Sequence, residues 1–296
     1  MKKVFCTIST QSHLYKCFAL AESISVYGGV LEVLLVDQTT LSSEAPGNVN
    51  FTFLKDLDSD LARQIIKKYS RKMDRLRWSL KSVFLVHLLD KNDKVIYIDN
   101  DIHFFNDPCF LFDALNVSPV LLTPHHYPRD PESKQNWFEA NFRVGLYNAG
   151  FFGANKAAKE VLAWWAKACL YRCEKNYYRG LFDDQKYLDL VPIIEPKTKI
   201  VDHLGCNVAE WNKEICKVKM QGDHFIVNEN IPLIFYHFNG FSLQNLAANN
   251  PLLAYYYKAL KKYNSSLTLK GLIPARAKFE KVKLLIWTFL NKLNAQ

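Results

Sequence analysis

Residues 94 to 102 read Lys94-Val95-Ile96-Tyr97-Ile98-Asp99-Asn100-Asp101-Ile102. Val95 to Ile98 form an apolar run too short for a helix and rich in β-formers, which predicts a strand buried on both faces. The strand ends in two carboxylates one residue apart. Packing both without a cation would cost several kcal/mol of repulsion and desolvation. A hard divalent cation bridging to a diphosphate removes that cost, and oxygen ligands favour Mg²⁺ or Mn²⁺. The plainer reading is a polar strand end followed by a cap, because Asp and Asn are common there.

Working outward, the same alternation repeats. Val4 to Ile8 is a short apolar run, followed by a helix-like stretch from Ser12 to Tyr27 that Gly28-Gly29 ends. Val30 to Val36 is a second strand, closing at Asp37, and Phe51 to Leu54 is a third. Asp58 to Leu89 reads as two helices before the acidic strand. Strand and helix in alternation predict an α/β fold: a Rossmann-like, mostly parallel central sheet with helices on both faces. Ligands of such sheets bind beyond the carboxyl ends of the strands. Thr7, Ser9, Asp37 and Asp99 all stand at such ends. Further on, Asn148 to Gly153 and Leu233 to His237 read as strands and Lys156 to Cys173 as a long helix. Pro124 to Asn136 reads as a long loop of the kind that forms lids and binding surfaces.

The chain has 296 residues and a formal charge of +9, with 49% apolar and 23% charged residues. That composition excludes a disordered or fibrous chain. The charge is uneven. From Ala254 onward nine basic residues face one acid, Glu280, giving +8, so residues 1 to 253 carry +1. A nearly neutral body argues against nucleic acid as a partner. Seven cysteines, an odd number with no CxxC pair, and the absence of an apolar leader or an 18-residue apolar run, predict a reducing, cytoplasmic location. Cys169 and Cys173 have no nearby histidine and read as core thiols.

The segment Tyr97-Ile98-Asp99-Asn100-Asp101-Ile102, followed by Phe105-Asn106-Asp107-Pro108, resembles the metal-binding segment of GT-A glycosyltransferases, which use nucleotide-diphosphate sugars. The likeness is greatest to bacterial lipopolysaccharide-type enzymes near glycosyltransferase family 8. Four further segments match in order: Tyr147 to Gly153, Asp183-Asp184-Gln185, Gly205 to Asn212, and Phe235 to Gly240. The resemblance covers roughly residues 3 to 240. It implies a GT-A domain over residues 1–253 with residues 254–296 as a basic helical tail.

It also implies roles. Asp99, Asp101 and His237 hold the metal, with His237 using a neutral ring nitrogen. Thr7, Ser9, Asp37, Lys81, Asp99, Asn100, Asp101 and Gly240 face the donor. Asn148 and Asp184 stand at the reacting end, and Asp183, Trp211 and Asn212 on the acceptor side. The residues leave plainer uses open. Thr7 and Ser9 suit turn chemistry, Lys81 suits a solvated helix face, His237 suits a strand end, and either Asp183 or Asp184 suits a helix cap. The sequence does not choose between those two aspartates. One departure stands out: family 8 members often carry Gly-x-x-Lys-Pro-Trp after the histidine, whereas here Gly240 is followed by Phe241-Ser242-Leu243-Gln244.

The reaction implied is transfer of a sugar from a nucleotide-diphosphate donor, a UDP-sugar, to a glycan or lipid-linked acceptor, with Mn²⁺ or Mg²⁺ neutralising the departing diphosphate. Phe279, Val282, Ile286, Phe289, Leu290 and Leu293 follow helical spacing, with Lys278, Lys281 and Lys292 largely off that stripe. Such a helix suits an anionic membrane surface, which predicts peripheral attachment through residues 276–293. A final helix packed on the body is the alternative. Two other functions compete with transfer. A sugar-nucleotide nucleotidyltransferase would want a glycine-rich, basic loop after the first strand, which Thr7 to His13 lacks. A non-catalytic nucleotide-sugar or glycan-binding module would not need the metal ligands.

Overall fold

A computed structural model describes residues 2–41 and 44–275. The strands in the first half are β1 (Lys3–Ser9), β2 (Gly29–Leu35), β3 (Val49–Phe53), β4 (Lys94–Ile98), β5 (Ile102–Phe104) and β6 (Val120–Pro124). The second half adds β7 (Tyr147–Asn155), β8 (Lys175–Asn176), β9 (Leu181–Phe182), β10 (Lys199–Ile200), β11 (Val218–Gln221), β12 (His224–Val227), β13 (Ile231–Pro232) and β14 (Phe235–His237). The helices are α1 (Leu14–Ser25), α2 (Asp60–Tyr69), α3 (Met73–Ser79), α4 (Lys81–Leu89), α5 (Cys109–Ala114) and α6 (Gln135–Arg143). They continue with α7 (Lys159–Tyr171), α8 (Val191–Ile194), α9 (Gly240–Asn245), α10 (Pro251–Lys261) and α11 (Leu269–Leu272).

Seven strands form the central sheet in the order β10-β6-β7-β4-β1-β2-β3. All neighbours are parallel except β7, which runs antiparallel to both β4 and β6. The alternation expected from the sequence is therefore present, with one reversed strand inserted. Side chains alternate across each strand. Val4, Cys6 and Ile8 of β1 join α2, α4 and α7 in one core. Phe5 joins α1, α5 and β5 in the other. The local signals are physical. Ser59 Oγ caps α2 by accepting from Ala62 N at 3.1 Å. After α1, Gly28 adopts φ +73°, and a Cβ on Gly29 would lie 2.9 Å from Ile24 Cβ.

Several elements differ from the sequence reading. The helix expected from Ser12 starts as a 3-10 turn, Gln11–His13, before α1. Asp58 to Leu89 holds three helices, because the chain turns once at residues 70–72 and again at Leu80. The stretch after Pro124 is a loop only to Lys134, where α6 begins. β5 and β6 were not expected, nor was the small antiparallel sheet β11-β12-β13. The expected boundary at residue 253 falls inside α10. That helix sends Leu252, Leu253, Tyr256 and Leu260 into a third core with Phe238 and Leu243. The apolar stripe from Phe279 onward lies outside the described residues.

Candidate active site

The strand-to-loop turn after β4 is held by the backbone. Asp99 N donates to Gly150 O at 2.9 Å, Ile102 N to Asp99 O at 3.1 Å, and Phe238 N to Asp101 O at 2.7 Å. Asn100 faces the other way and donates from Nδ2 to Ser9 Oγ at 3.1 Å. β14 pairs antiparallel with β5, placing His237 opposite Ile102. His237 Nε2 then lies 3.0 Å from Asp101 Oδ1 and 3.9 Å from Asp99 Oδ2. One ligand atom from each of the three residues lies within 4.8 Å of the others. Two carboxylates and an imidazole at this separation are a donor set that can hold a divalent cation.

His237 has room because β7 carries glycine beside it. A Cβ on Gly150 would lie 2.5 Å from His237 Cε1 and 2.6 Å from Asn148 Oδ1. On its other side the ring meets Trp211, edge to face, at 5.2 Å between centroids. Burial pushes the Asp101 carboxyl up, but the His237 ring outweighs it and holds it well below the usual carboxylate range.

Lys81, at the first position of α4, is 3% exposed. Its Nζ donates to Ala149 O at 2.9 Å and stands 3.2 Å from both Asp99 Oδ1 and Asp184 Oδ2. It also sits 4.9 Å from the centre of the Tyr97 ring. Tyr97 donates its hydroxyl to Asp99 Oδ1 at 2.8 Å. Burial works against the ammonium, but Asp184 and Asp99 together keep it charged. Asp184 behaves in the opposite sense: burial raises its carboxyl to about 6, and Lys81 only partly offsets this. The lysine has two carboxylates for its one charge, and it leaves Asp184 a weaker acid than a free aspartate. The solvated helix lysine is therefore not what Lys81 is.

Asn148, the second residue of β7, stands at the same end of the sheet. Its Oδ1 accepts from Gly150 N at 2.9 Å, while Nδ2 lies 3.2 Å from both His125 Nε2 and Gln185 Oε1. His125 Nδ1 lies 2.9 Å from Gly145 O. A carbonyl only accepts, so Nδ1 carries the proton and Nε2 accepts from Asn148. Burial pushes the His125 ring down to about 3, so it is neutral at any physiological pH. Gln185 also accepts from Ala149 N at 3.3 Å and donates to Val144 O at 3.3 Å. This network fixes which way the Asn148 amide points.

The remaining sequence candidates separate into two groups. Ser9 and Asn100 meet behind the acidic turn. Thr7 is fully buried in β1, and its hydroxyl finds no partner among the described residues. Asp37 accepts from Gln11 N with both oxygens, at 2.9 and 3.2 Å, and so ties the end of β2 to the turn after β1. Asp183 is buried with φ +51° and its Oδ2 lies 3.6 Å from Lys175 Nζ, whereas Asp184 points at Lys81. Trp211 Nε1 and Asn212 Nδ2 both donate to His125 O, at 3.1 and 3.0 Å. They brace the wall behind the network. Gly240 begins α9, capped by Asn239. Sequence reasoning missed His125, Tyr97 and Gly150. His125 left one usable signal, a histidine at the start of the long loop.

No family model matches this chain. Two uncharacterized proteins of Bacillus subtilis (strain 168) are similar in sequence. YfnD is 31% identical over 267 residues, covering 86% of this chain and 82% of YfnD. YfnF is 27% identical over 256 residues, covering 83% and 84%. Solved structures share the fold at low identity. An active-site mutant of LgtC aligns with TM-score 0.54 and 11% identity over 91% of this chain and 99% of LgtC. Streptococcus pneumoniae GlyE, a glycosyltransferase, gives 0.51 and 14% over 92% of this chain and 62% of GlyE. Mouse xyloside xylosyltransferase 1 gives 0.50 and 13% over 82% and 99%. The fold is GT-A, as the sequence motifs implied.

Proposed function

Because the chain belongs to the family of Bacillus subtilis YfnD and carries the GT-A fold, we propose that it is a nucleotide-sugar-dependent glycosyltransferase. It moves a hexose from a UDP-sugar to a glycan or lipid-linked acceptor. The observation that carries this reading is the convergence of Asp99, Asp101 and His237 at the carboxyl end of β4, with Lys81 joining Asp99 to Asp184. Asp99, Asp101 and His237 would hold a Mn²⁺ or Mg²⁺ ion, which would supply Lewis-acid neutralisation of the departing diphosphate.

This chain's own residues do the rest. Asp99 and Asp101 face the donor diphosphate and ribose, Asn100 turns away to hold Ser9 behind them, and Thr7, Asp37 and Gly240 bound the nucleoside end. Lys81 holds Asp184 toward the reacting centre, and the Asn148 amide, locked by His125 and Gln185, presents a fixed dipole there. Asp184, rather than Asp183, is the carboxylate of the site, because it alone shares Lys81 with Asp99. Asp183, Trp211 and Asn212 shape the acceptor side.

The test is a screen of nucleotide sugars with and without Mn²⁺, reading release of the free nucleotide. Release should require the metal, favour a UDP-sugar, and fall by about a hundredfold or more in Asp101→Ala, as expected when a group stabilising developing charge is lost. Metal-independent turnover, or full activity in that variant, would sink the reading.

A further inference from the structure

Lys3 and Cys109 are 106 positions apart in sequence, yet they meet at the end of the sheet opposite the crevice. Lys3 Nζ stands 2.6 Å from Cys109 Sγ. Lysine Nζ···O contacts elsewhere in the molecule come as close as 2.5 and 2.6 Å, but sulfur is larger than oxygen and belongs farther away than either. A direct N–S bond would be shorter than the roughly 2.0 Å of an S–S bond. The gap between these limits matches two single bonds meeting at one small bridging atom.

Both ends are fixed from behind. Lys3 Nζ also donates to Tyr27 O at 2.7 Å, and Cys109 N donates to Asp107 Oδ1 at 2.9 Å. Cys109 is also the one cysteine that is not buried, so it is the thiol an oxidant reaches first. The geometry points to a modification site: under peroxide, Lys3 and Cys109 become joined through one oxygen atom, Nζ–O–Sγ.

The chemistry balances in two steps. Hydrogen peroxide first converts the thiol to sulfenic acid and releases water. A second peroxide then joins that oxygen to the lysine nitrogen, releasing two waters and a proton. Nitrogen and sulfur each give up two electrons, and the two broken O–O bonds take all four. Excess dithiol reverses the process, returning amine, thiol and water. Burial and Asp107 push the Cys109 thiol up, with Lys3 opposing, so the thiolate fraction grows in mildly alkaline solution. The bridge ties the start of β1 to the start of α5 and encloses β2, β3, β4 and β5. It therefore stiffens the sheet without reaching the site, and it stands independently of the proposed activity.

The full-length protein is treated with hydrogen peroxide at about pH 8.5 and digested without reduction. The expected product is a linked peptide pair containing Lys3 and Cys109, about 14 Da heavier than the two peptides summed, the mass of one oxygen less two hydrogens. Dithiothreitol should separate it, and the bridged protein should show a higher Tm than the reduced one. Lys3→Arg keeps the charge but offers no amine, so it should give no linked pair and only sulfinic or sulfonic Cys109. A pair about 2 Da lighter than the sum means a direct N–S bond and overturns the oxygen bridge. Sulfinic or sulfonic Cys109 forming alike in both proteins, or an unmodified Cys109, overturns it as well.

Discussion

Lys81 shows how one side chain organises the site. It is buried against two carboxylates, one of them a candidate metal ligand. Replacing it by methionine leaves both acids without their cation, and breaking a buried pair in this way costs about 3 to 5 kcal/mol. Urea denaturation of Lys81→Met should show that loss, and adding Asp184→Asn should recover part of it. Asp184 gives a second, separable signature. Its carboxyl titrates at about 6 in the folded protein against 3.8 for the free side chain. The folded state therefore binds more protons across that window, and stability falls as pH rises from 3.8 to about 6. The shift corresponds to something on the order of 3 kcal/mol. Asp101 works in the opposite direction, its depressed carboxyl giving up stability only as pH drops below 3.8. In chelator-treated protein, Asp184→Asn should remove the slope between pH 4 and about 6 while leaving the acid limb in place. An unchanged slope would mean that Asp184 is ionised throughout. The identity of these acids was legible in the sequence. Their division of labour was not, because it depends on a lysine 18 and 103 positions away from its two partners.

At the scale of the element, the strands read most easily were those buried on both faces. Apolar runs in β1, β2 and β4 announced themselves, and their carboxyl ends located the crevice. Direction was not legible. β7 reads as a strand like the others, and only pairing reveals that it runs antiparallel to β4 and β6 and delivers its first residues, Tyr147 to Gly150, beside Asp99. β5 escaped notice because three residues carry too little periodicity. Yet β5 is the partner that brings His237 to the carboxylates, so the triad came from likeness between motifs rather than from any local pattern. Likewise, Asp37 looked like a ligand at a strand end, while its oxygens serve Gln11 N. The reversed strand leads to a prediction of its own. In Gly150→Ala the new methyl would press on both His237 and Asn148. The β-sheet itself tolerates alanine, so the fold should survive. Mn²⁺ affinity, followed by calorimetry, should drop about 10- to 100-fold, the range typical for disturbing the support of a metal ligand. Unaltered affinity would show that His237 is not a ligand.

Across the whole molecule, charge and chemistry are kept apart. The +9 of the chain divides into +1 for residues 1 to 253 and +8 for the remainder. Part of the basic portion is structural: α10 anchors itself through Tyr256 and Leu260, and α11 adds Leu272 to the same core. Among the described residues no helix is long and apolar enough to cross a membrane. A lipid-linked acceptor, as proposed above, would place the enzyme at a surface, and the sequence beyond Ala275 has the composition to bind one. It carries Arg276, Lys278, Lys281, Lys283 and Lys292 against Glu280, a net +4, interleaved with Phe279, Ile286, Trp287 and Phe289. Each basic residue near an anionic bilayer contributes about 1 kcal/mol, and the contribution shrinks with salt. Four net charges amount to about a thousandfold in partitioning at low ionic strength. Deleting residues 276–296 should therefore abolish co-sedimentation with phosphatidylserine vesicles at low salt. It should change little with neutral vesicles, and it should leave turnover of a soluble acceptor within about twofold, because the triad, Lys81 and Asp184 all lie before the cut. If the shortened protein pellets with anionic vesicles as well as the full chain does, the address is carried by the body, and the lysines of α10 become the place to look.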